Sequence, residues 1–413
     1  MRFRSMGILA AAAVAMLTAG MLGIDVAGAA TLTVTCPASV QTAVNAACSN
    51  DVILVTGTCA ESVVVGLQTF AAGCPEGVVP FSKLTIKGSG TKSSGATIIQ
   101  GQAGPAITVT ADAVNVTLQN MTVGSNTSHG IAVVSAHKVI INNVKTPTTL
   151  PLLGTAMDGV NVDMLSTNTM VTSCTLNGNL GDGVEMGATF GQIHNVTAND
   201  NGMAGIRITG SSADVQRCTA KDTTAPGVQQ YGFYVDGPTA ILQRSAADSN
   251  AIAQFFDAPA SRGVIHFRNV AGLSNAAAPL PGDGFSENGS GNYISSCTSI
   301  RNMGHGVHMA GDGNELQLTV SSQNVGSQVL ITGDRNLIDR STALRVGTGF
   351  FTSVLPDFNV ILGSTANFFV RCVASLESGA ASGQGYAIPD ATTTGTRNTR
   401  RPALPTDPPV SMR

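Results

Sequence analysis

Three consecutive copies of a 22-residue unit run from 297 to about 353: CTSIRNMGHGVHM, TVSSQNVGSQVLI and STALRVGTGFFTS. Cys297, Thr319 and Ser341 align, Asn302 aligns with Asn324, and Gly306, Gln328 and Phe350 follow at the same interval. A constant period means that one structural unit is stacked on itself. Three residues before each first position stands an aliphatic: Ile294, Leu316 and Ile338. After each turn comes a short alternating segment, such as Val307, His308 and Met309, in which apolar residues flank a polar one. A unit of 22 residues is too short for a strand, a helix and their connections. Several β-branched segments separated by Gly and Asn suit one coil of a β-solenoid instead.

The pattern extends in both directions. It predicts an apolar column of Leu118, Ile141, Val171, Ile193, Val215, Leu242, Phe267, Ile294, Leu316, Ile338 and Phe369. Three residues after each lies a companion column of small or apolar residues: Met121, Val144, Cys174, Val196, Cys218, Ser245, Val270, Cys297, Thr319, Ser341 and Cys372. Steps between rungs run from 22 to 31 residues, so insertions are accepted at turns while the column is kept.

The chain opens with Arg2 and Arg4, an apolar run from Met6 to Met21, and the small residues Ala27, Gly28, Ala29 and Ala30. This reads as a secretory signal peptide over 1–29. The competing reading, a membrane anchor, is weakened by Gly20, Gly23 and Asp25, which interrupt the run before the ~20 residues a span needs. The expected mature chain is therefore secreted, extracellular or periplasmic, without a transmembrane segment. Aromatic residues are 4% of the chain and charged residues 11%, with 47 Gly, so stability must come from stacked aliphatics and backbone ladders. A net charge of -3 leaves no basic stripe for nucleic acid. A solenoid grows in one dimension without splitting, so one domain is expected over 30–378. Beyond it, 379–413 holds turn formers and prolines without the pattern and reads as a mobile tail.

The stretch SVQTAVNAACSNDVILVTGTCAESVVV, followed by KLTIKGSG and ATIIQG, resembles the opening of right-handed parallel β-helix proteins of the pectate-lyase-like superfamily. In it Val40, Ala43, Val44 and Ala47 make the apolar face of a short helix starting near Pro37. The resemblance continues to about Ser378 through HGIAVV, DGVNVD, DGVEMG and AGIRITG. It implies an all-β, single-stranded right-handed parallel β-helix whose open end is plugged by an N-terminal capping helix. Many functions share that scaffold, so chemistry must be argued from residues.

Eight cysteines in an exported chain point to disulfides. Cys36, Cys48, Cys59 and Cys74 crowd near the N-terminus, where bridges are expected; without a Cys-x-x-Cys, zinc is the weaker reading. Cys174, Cys218, Cys297 and Cys372 fall in the companion column, two or more rungs apart. Two coils separate Cys174 from Cys218 by ~9.6 Å, beyond the ~7 Å limit for a bridge, so these four should be buried thiols.

Strand alternation turns the residue two after each rung glycine outward, giving Asn161, Glu185, Arg207, Tyr234, Phe256, Ser286, His308, Leu330 and Thr352. The residue before each glycine adds Asp158, Asp182, Tyr231, Asp283 and His305. Two polar clusters emerge. In the first, Asp158, Asp182, Glu185, Arg207 and Tyr234 combine carboxylates for acid and base work on a sugar with a cation for a sugar carboxylate. The plain alternative is that Asp-Gly is a turn pair before each strand. On the functional reading the carboxylates would serve as acid and base or hold Ca²⁺. The second cluster is Asp257, Asp283, His305 and His308, where MGHGVHMAGDG is similar to the Gly-His-Gly segment of polygalacturonase-type glycoside hydrolases. That likeness implies an acid or base role for Asp283 and a supporting one for His305, although the paired aspartates and the Arg-x-Lys of those enzymes are absent here. YGFYVDG resembles part of the alginate-epimerase pattern without its Asp-x-His, and the Arg-x-Pro-x-x-Arg of pectate lyases is missing. Ser128-His129-Gly130 reads as a rung turn, and Asn179, Asn201, Asn302 and Asn324 as stacked turn amides.

The expectation is an exported β-helix that binds a polysaccharide, with lyase, hydrolase or epimerase activity within its reach. Asp182, Glu185, Arg207, Asp283 and His305 are the candidate catalytic residues, and Asp158, Tyr234 and His308 the candidate substrate-binding ones. The alternative is a non-catalytic cell-surface or matrix protein.

Overall fold

The structure, a computed structural model, describes residues 29–66, 81–90, 97–125, 127–146, 157–223, 229–273, 282–345, 357–361, 366–376, 386–387, 394–396 and 399–401. The expected signal peptide up to residue 28, Cys74, Phe350 and Thr352 lie outside these. No described helix is long and apolar enough to cross a membrane.

The chain coils into a parallel β-solenoid. A thirteen-stranded sheet runs in chain order from Val63–Val65 to Tyr386–Ala387, and every pairing in it is parallel. A seventeen-stranded sheet and an eight-stranded sheet complete the cross-section. Each coil places one short strand in the thirteen-stranded sheet and another in the seventeen-stranded one, as Val184–Met186 and then Gln192–His194 do. The helix Val40–Ala46 is the expected cap: Ser39 accepts the Thr42 N–H at its start, and Val40, Val44 and Ala47 are buried. The Glu61 carboxylate takes the N–H of Val40 at 2.6 Å, an anion at the positive end of the helix.

The core is the stack of inward residues. Leu118, Ile141, Val171, Ile193, Val215 and Leu242 are each 0% exposed and in register, and Ile294, Leu316, Ile338 and Phe369 continue the buried column further on. Phe233, Phe255 and Phe285 stack at 4.8 Å on the opposite wall. Backbones approach so closely that a Cβ on Gly183 would lie 2.6 Å from the Gly205 carbonyl oxygen, which explains the glycine that most rungs place here, Gln254 and Gln328 being exceptions. Buried amides tie turns together: Asn179 Nδ2 donates to Asn201 Oδ1 at 2.8 Å, and Asn302 Nδ2 to Asn324 Oδ1 at 2.9 Å.

Three parts of the expected ladder differ. His266, not Phe267, fills the core column, pairing with Leu242 and Ile294, and Asn269 replaces Val270 as its companion, 0% exposed against 44%. The physical marker is the corner residue. Asn143, Ser173, Asn195, Arg217, Arg244, Ser296, Leu318, Arg340 and Arg371 each take a positive φ immediately before a companion residue, and on this rung Arg268 does so, which fixes Asn269 as the companion. Second, Gln328 does not meet a residue 22 positions on; Val329 pairs with Phe358 and Leu330 with Asn359, so an insertion precedes this strand and Asn359 takes the outward place expected for Thr352. Third, short strands at Tyr386–Ala387, Thr394–Thr396 and Thr399–Arg401 continue the ladder past the point where the apolar pattern stops. Two of them, TGT and TRR, have sequences that leave no periodic trace.

Cys36 and Cys59 form a disulfide, and Cys48 is also disulfide-bonded. Cys174, Cys218, Cys297 and Cys372 are free and buried, as their column requires. Burial pushes the first three thiols up to about 12 and Cys372 up to about 11.

Candidate functional site

The outward column exists in the expected order. In the thirteen-stranded sheet Asn161 pairs with Glu185, Glu185 with Arg207, Arg207 with Tyr234, Tyr234 with Phe256, Phe256 with Ser286, and Ser286 with His308. Adjacent members stand ~4.8 Å apart.

The first cluster is contiguous. Asp158 Oδ1 accepts the Asp182 N–H at 2.7 Å, and Asp182 Oδ1 accepts the Ala204 N–H at 2.7 Å. The Asp-Gly pairs thus do tie turns together, as the plain reading has it, but with one oxygen of each carboxylate. The second oxygens face the site. Asp158 Oδ2 lies 3.1 Å from His129 Nδ1 and accepts Asn161 Nδ2 at 3.0 Å. Asn161 Nδ2 also donates to Glu185 Oε2 at 2.8 Å. Arg207 Nη1 stands 4.0 Å from Asp182 Oδ2 and 3.9 Å from Glu185 Oε1. Its guanidinium carbon lies 5.4 Å from the centre of the Tyr234 ring, and its Nε is buried without a hydrogen-bond partner among the described residues.

These neighbours separate the two aspartates electrostatically. Burial pushes Asp158 up, but the hydrogen bonds from His129, the Asp182 N–H and Asn161 outweigh it and hold the group below its ordinary value. Asp182 is 2% exposed, and burial, aided by the charges of Asp158 and Glu185, raises its pKa to about 7 against the pull of the Ala204 N–H and Arg207. Asp182 therefore carries a proton for part of the time at neutral pH, the property of a general acid. Single oxygens of Asp158, Asp182 and Glu185 lie within 4.8 Å of one another, a set that fits a cation.

A pocket of about 230 Å³ opens here, lined by Asp182, Met203, Ala204, Arg207, Gln230, Tyr231 and Tyr234. Its far wall is aromatic: Tyr234 stacks on Phe256 at 5.2 Å, and Tyr231 lies 5.1 Å and 5.0 Å from the two rings.

The second cluster forms without Asp257. Asp283 Oδ1 accepts the His305 N–H at 2.7 Å, Asp283 Oδ2 lies 3.5 Å from His308 Nδ1, and His308 Nε2 lies 3.2 Å from Thr332 Oγ1. His305 Nδ1 accepts the Ser327 N–H at 3.0 Å, and burial lowers its pKa, so the ring is neutral. Asp257 sits at the inward position after Phe256, 0% exposed, and faces the core. Two outward clusters therefore share one face, with Phe256 and Ser286 between them.

His129, Tyr231 and Phe256 belong to the first site and were not grouped with it in the sequence. Tyr231 and Phe256 stood in the two columns already. His129 sits a rung earlier across an insertion, where its Ser-His-Gly setting reads only as a turn.

The family description "Right handed beta helix region" matches residues 81–245. No curated protein matches the chain. Among solved structures, the Azotobacter vinelandii mannuronan C-5 epimerase AlgE6 A-module is similar at 14% identity over 86% of this chain and 91% of that one, with a TM-score of 0.50. Tailspike protein 3 of bacteriophage CBA120 is similar at 10% identity over 86% of this chain and 57% of that one, with a TM-score of 0.53. At such identities the likeness is one of fold. With every pairing in the site-bearing sheet parallel and the coils closed around one apolar core, the chain is a right-handed parallel β-helix protein.

Proposed function

We propose that the chain is an exported polysaccharide-binding β-helix that carries out acid–base chemistry on an acidic sugar at Asp182, Glu185, Arg207 and Tyr234. The observation that carries this reading is the pocket in which a partly protonated carboxyl, a guanidinium with an unpaired buried N–H and two tyrosines meet. Arg207 pairs with the sugar carboxylate, and its Nε gains the partner it lacks. Tyr234 and Phe256 give the sugar ring a flat apolar support, and Asp182 delivers or Glu185 removes the proton. Ca²⁺ can join the carboxylates as a second holder of the substrate.

The carboxyl spacing guides the choice of reaction. Oxygens within 4.8 Å of one another leave less room than the ~6.5 to 9.5 Å of an inverting hydrolase and stand nearer the ~5 to 5.5 Å of a retaining one, so a lyase, an epimerase or a retaining hydrolase fits this cluster better than an inverting one. A fold shared with a module named for mannuronan epimerisation is in keeping with that. Export is supported by the Cys36–Cys59 disulfide, which belongs in an oxidising compartment.

The test is a panel of acidic and neutral polysaccharides assayed for unsaturated sugars, new reducing ends and changed epimer content. Activity or binding on an acidic polymer, lost in Arg207→Ala, is the expected result. Neither binding nor turnover on any polymer would leave the non-catalytic surface protein.

A further inference from the structure

Among the described residues, two facing inward columns of the coil are apolar except at one level. On the seventeen-stranded sheet the column runs Leu242, His266, Ile294; on the thirteen-stranded sheet it runs Val235, Asp257, Glu287, Met309. His266, Asp257 and Glu287 are each 0% exposed. The rings of Phe255 and Phe285 lie edge-on to His266 at 5.6 Å and 5.7 Å and close the level against water.

The three side chains converge on one point. His266 Nε2 lies 3.2 Å from both oxygens of Asp257 and 3.7 Å from Glu287 Oε1. Glu287 Oε1 is buried and has no hydrogen-bond partner among the described residues. The opposite oxygens are already held, since Asn292 Nδ2 donates to Asp257 Oδ2 at 3.0 Å and to Glu287 Oε2 at 3.2 Å. Asn292 cannot turn over, because its Oδ1 accepts the Val264 N–H at 3.0 Å.

We propose that Asp257, His266 and Glu287 form a buried structural site for a divalent transition-metal ion of the zinc type. Two carboxyl groups in a dry core must either meet positive charge or keep their protons; burial pushes both pKa values up, and among the described residues their ion pairs are with His266 alone. One imidazole with two carboxylates suits zinc and its first-row neighbours, whereas Ca²⁺ asks for six or more oxygens. Donor separations of 3.2 and 3.7 Å are close to the ~3.3 Å edge of a tetrahedron with bonds of ~2.0 Å. Asn292 acts as the outer partner that aims both carboxylates. An ion there would join Ala253–Asp257, Asp283–Glu287 and Ile265–Phe267, strands from two different sheets, at the level where these two columns give up apolar packing.

One contact opposes the ion. His266 Nδ1 lies 3.4 Å from Asn269 Nδ2, and Asn269 is fixed by accepting the Ser245 N–H and donating to the Leu242 carbonyl. A metal on Nε2 leaves the ring hydrogen on Nδ1, facing that amide. With protons instead of a metal, Nε2 would keep the hydrogen and share it with Asp257.

The experiment separates the two. The full chain is produced in zinc-supplemented and in zinc-depleted medium, and bound metal is counted by mass spectrometry after gel filtration, beside the melting temperature. One zinc per chain, with a higher melting temperature in the supplemented protein, is expected. Glu185→Gln, which alters the outward carboxylates, should keep that zinc, and Glu287→Gln should lose it. Growth with cobalt(II) should give the visible bands of a site with one nitrogen and oxygen ligands. Wild-type protein with no retained zinc or cobalt and one melting temperature in both media would overturn the proposal in favour of shared protons. So would zinc that persists in Glu287→Gln. If that variant does not fold, the wild-type comparison still decides.

Discussion

Asp158 accepts the backbone N–H of Asp182 at 2.7 Å, so the carboxylate held below its ordinary pKa orients the very residue whose pKa is raised. One hydrogen bond joins the ladder that holds the coils in register to the groups that face the pocket. The variants below are chosen to separate these two roles.

Arg207→Ala and Glu185→Gln test the pocket. Both side chains are about a quarter to a third exposed, and their ion pairs at 3.9 and 4.0 Å contribute little to stability. The melting temperature should stay within a few degrees of wild type, while binding or turnover on the responsive polysaccharide falls by ~10²-fold or more. Full activity in both, with loss in Asp283→Asn and His305→Ala, would move the site to the second cluster.

Asp182→Asn tests the raised carboxyl. A folded-state pKa of about 7 against 3.8 in the unfolded chain means that folding favours the protonated form. Its contribution to stability is present below pH 3.8 and is lost as pH rises through about 7, on the order of a few kcal/mol across the window. The asparagine keeps an oxygen for the Ala204 N–H but cannot ionise. The difference in melting temperature between variant and wild type should therefore shift in favour of the variant as pH climbs from about 4 to about 8. A constant difference would show that Asp182 titrates normally.

Leu316→Asp tests the register. Leu316 is 0% exposed between Ile294 and Ile338. Burial of a leucine contributes ~1.5 to 3 kcal/mol, and an unpaired carboxylate there costs several more. No folded protein should be recovered, and a normal yield with an unchanged circular dichroism spectrum would refute the column.

Thiol titration tests the cysteines. Cys174, Cys218, Cys297 and Cys372 should resist a thiol reagent in the native state and react only after unfolding without reductant. Peptide mapping should find Cys36 joined to Cys59, and a bridge between Cys174 and Cys218 would contradict the stacking.

The ladder was legible because burial repeats: Ile294, Leu316 and Ile338 are apolar for the same reason at the same interval. The outward column was legible because side chains alternate along a strand, which places Glu185 beside Arg207 without any knowledge of turns. His266 was hidden because a search for apolar residues accepts Phe267 one place later, and only the positive φ of Arg268 shows where the corner lies. Asp257 was misplaced for a related reason: a carboxylate is expected outside, and its inward neighbours Glu287 and His266 come from separate strands. The insertion before Phe358 left no mark, since the sequence at 348–353 imitates the repeat while the strand that pairs with Val329–Ile331 is Phe358–Val360.

The stacking of Arg207, Tyr234, Phe256, Ser286 and His308 turns this face into a ruler. Distances along it come in steps of ~4.8 Å, and the four steps from Arg207 to His308 amount to ~19 Å whatever the lengths of the loops between. Loop insertions can reshape the banks of such a groove without stretching its graduations. Only the gain or loss of a whole coil would alter the interval between its two polar ends, and it would do so by one graduation at a time.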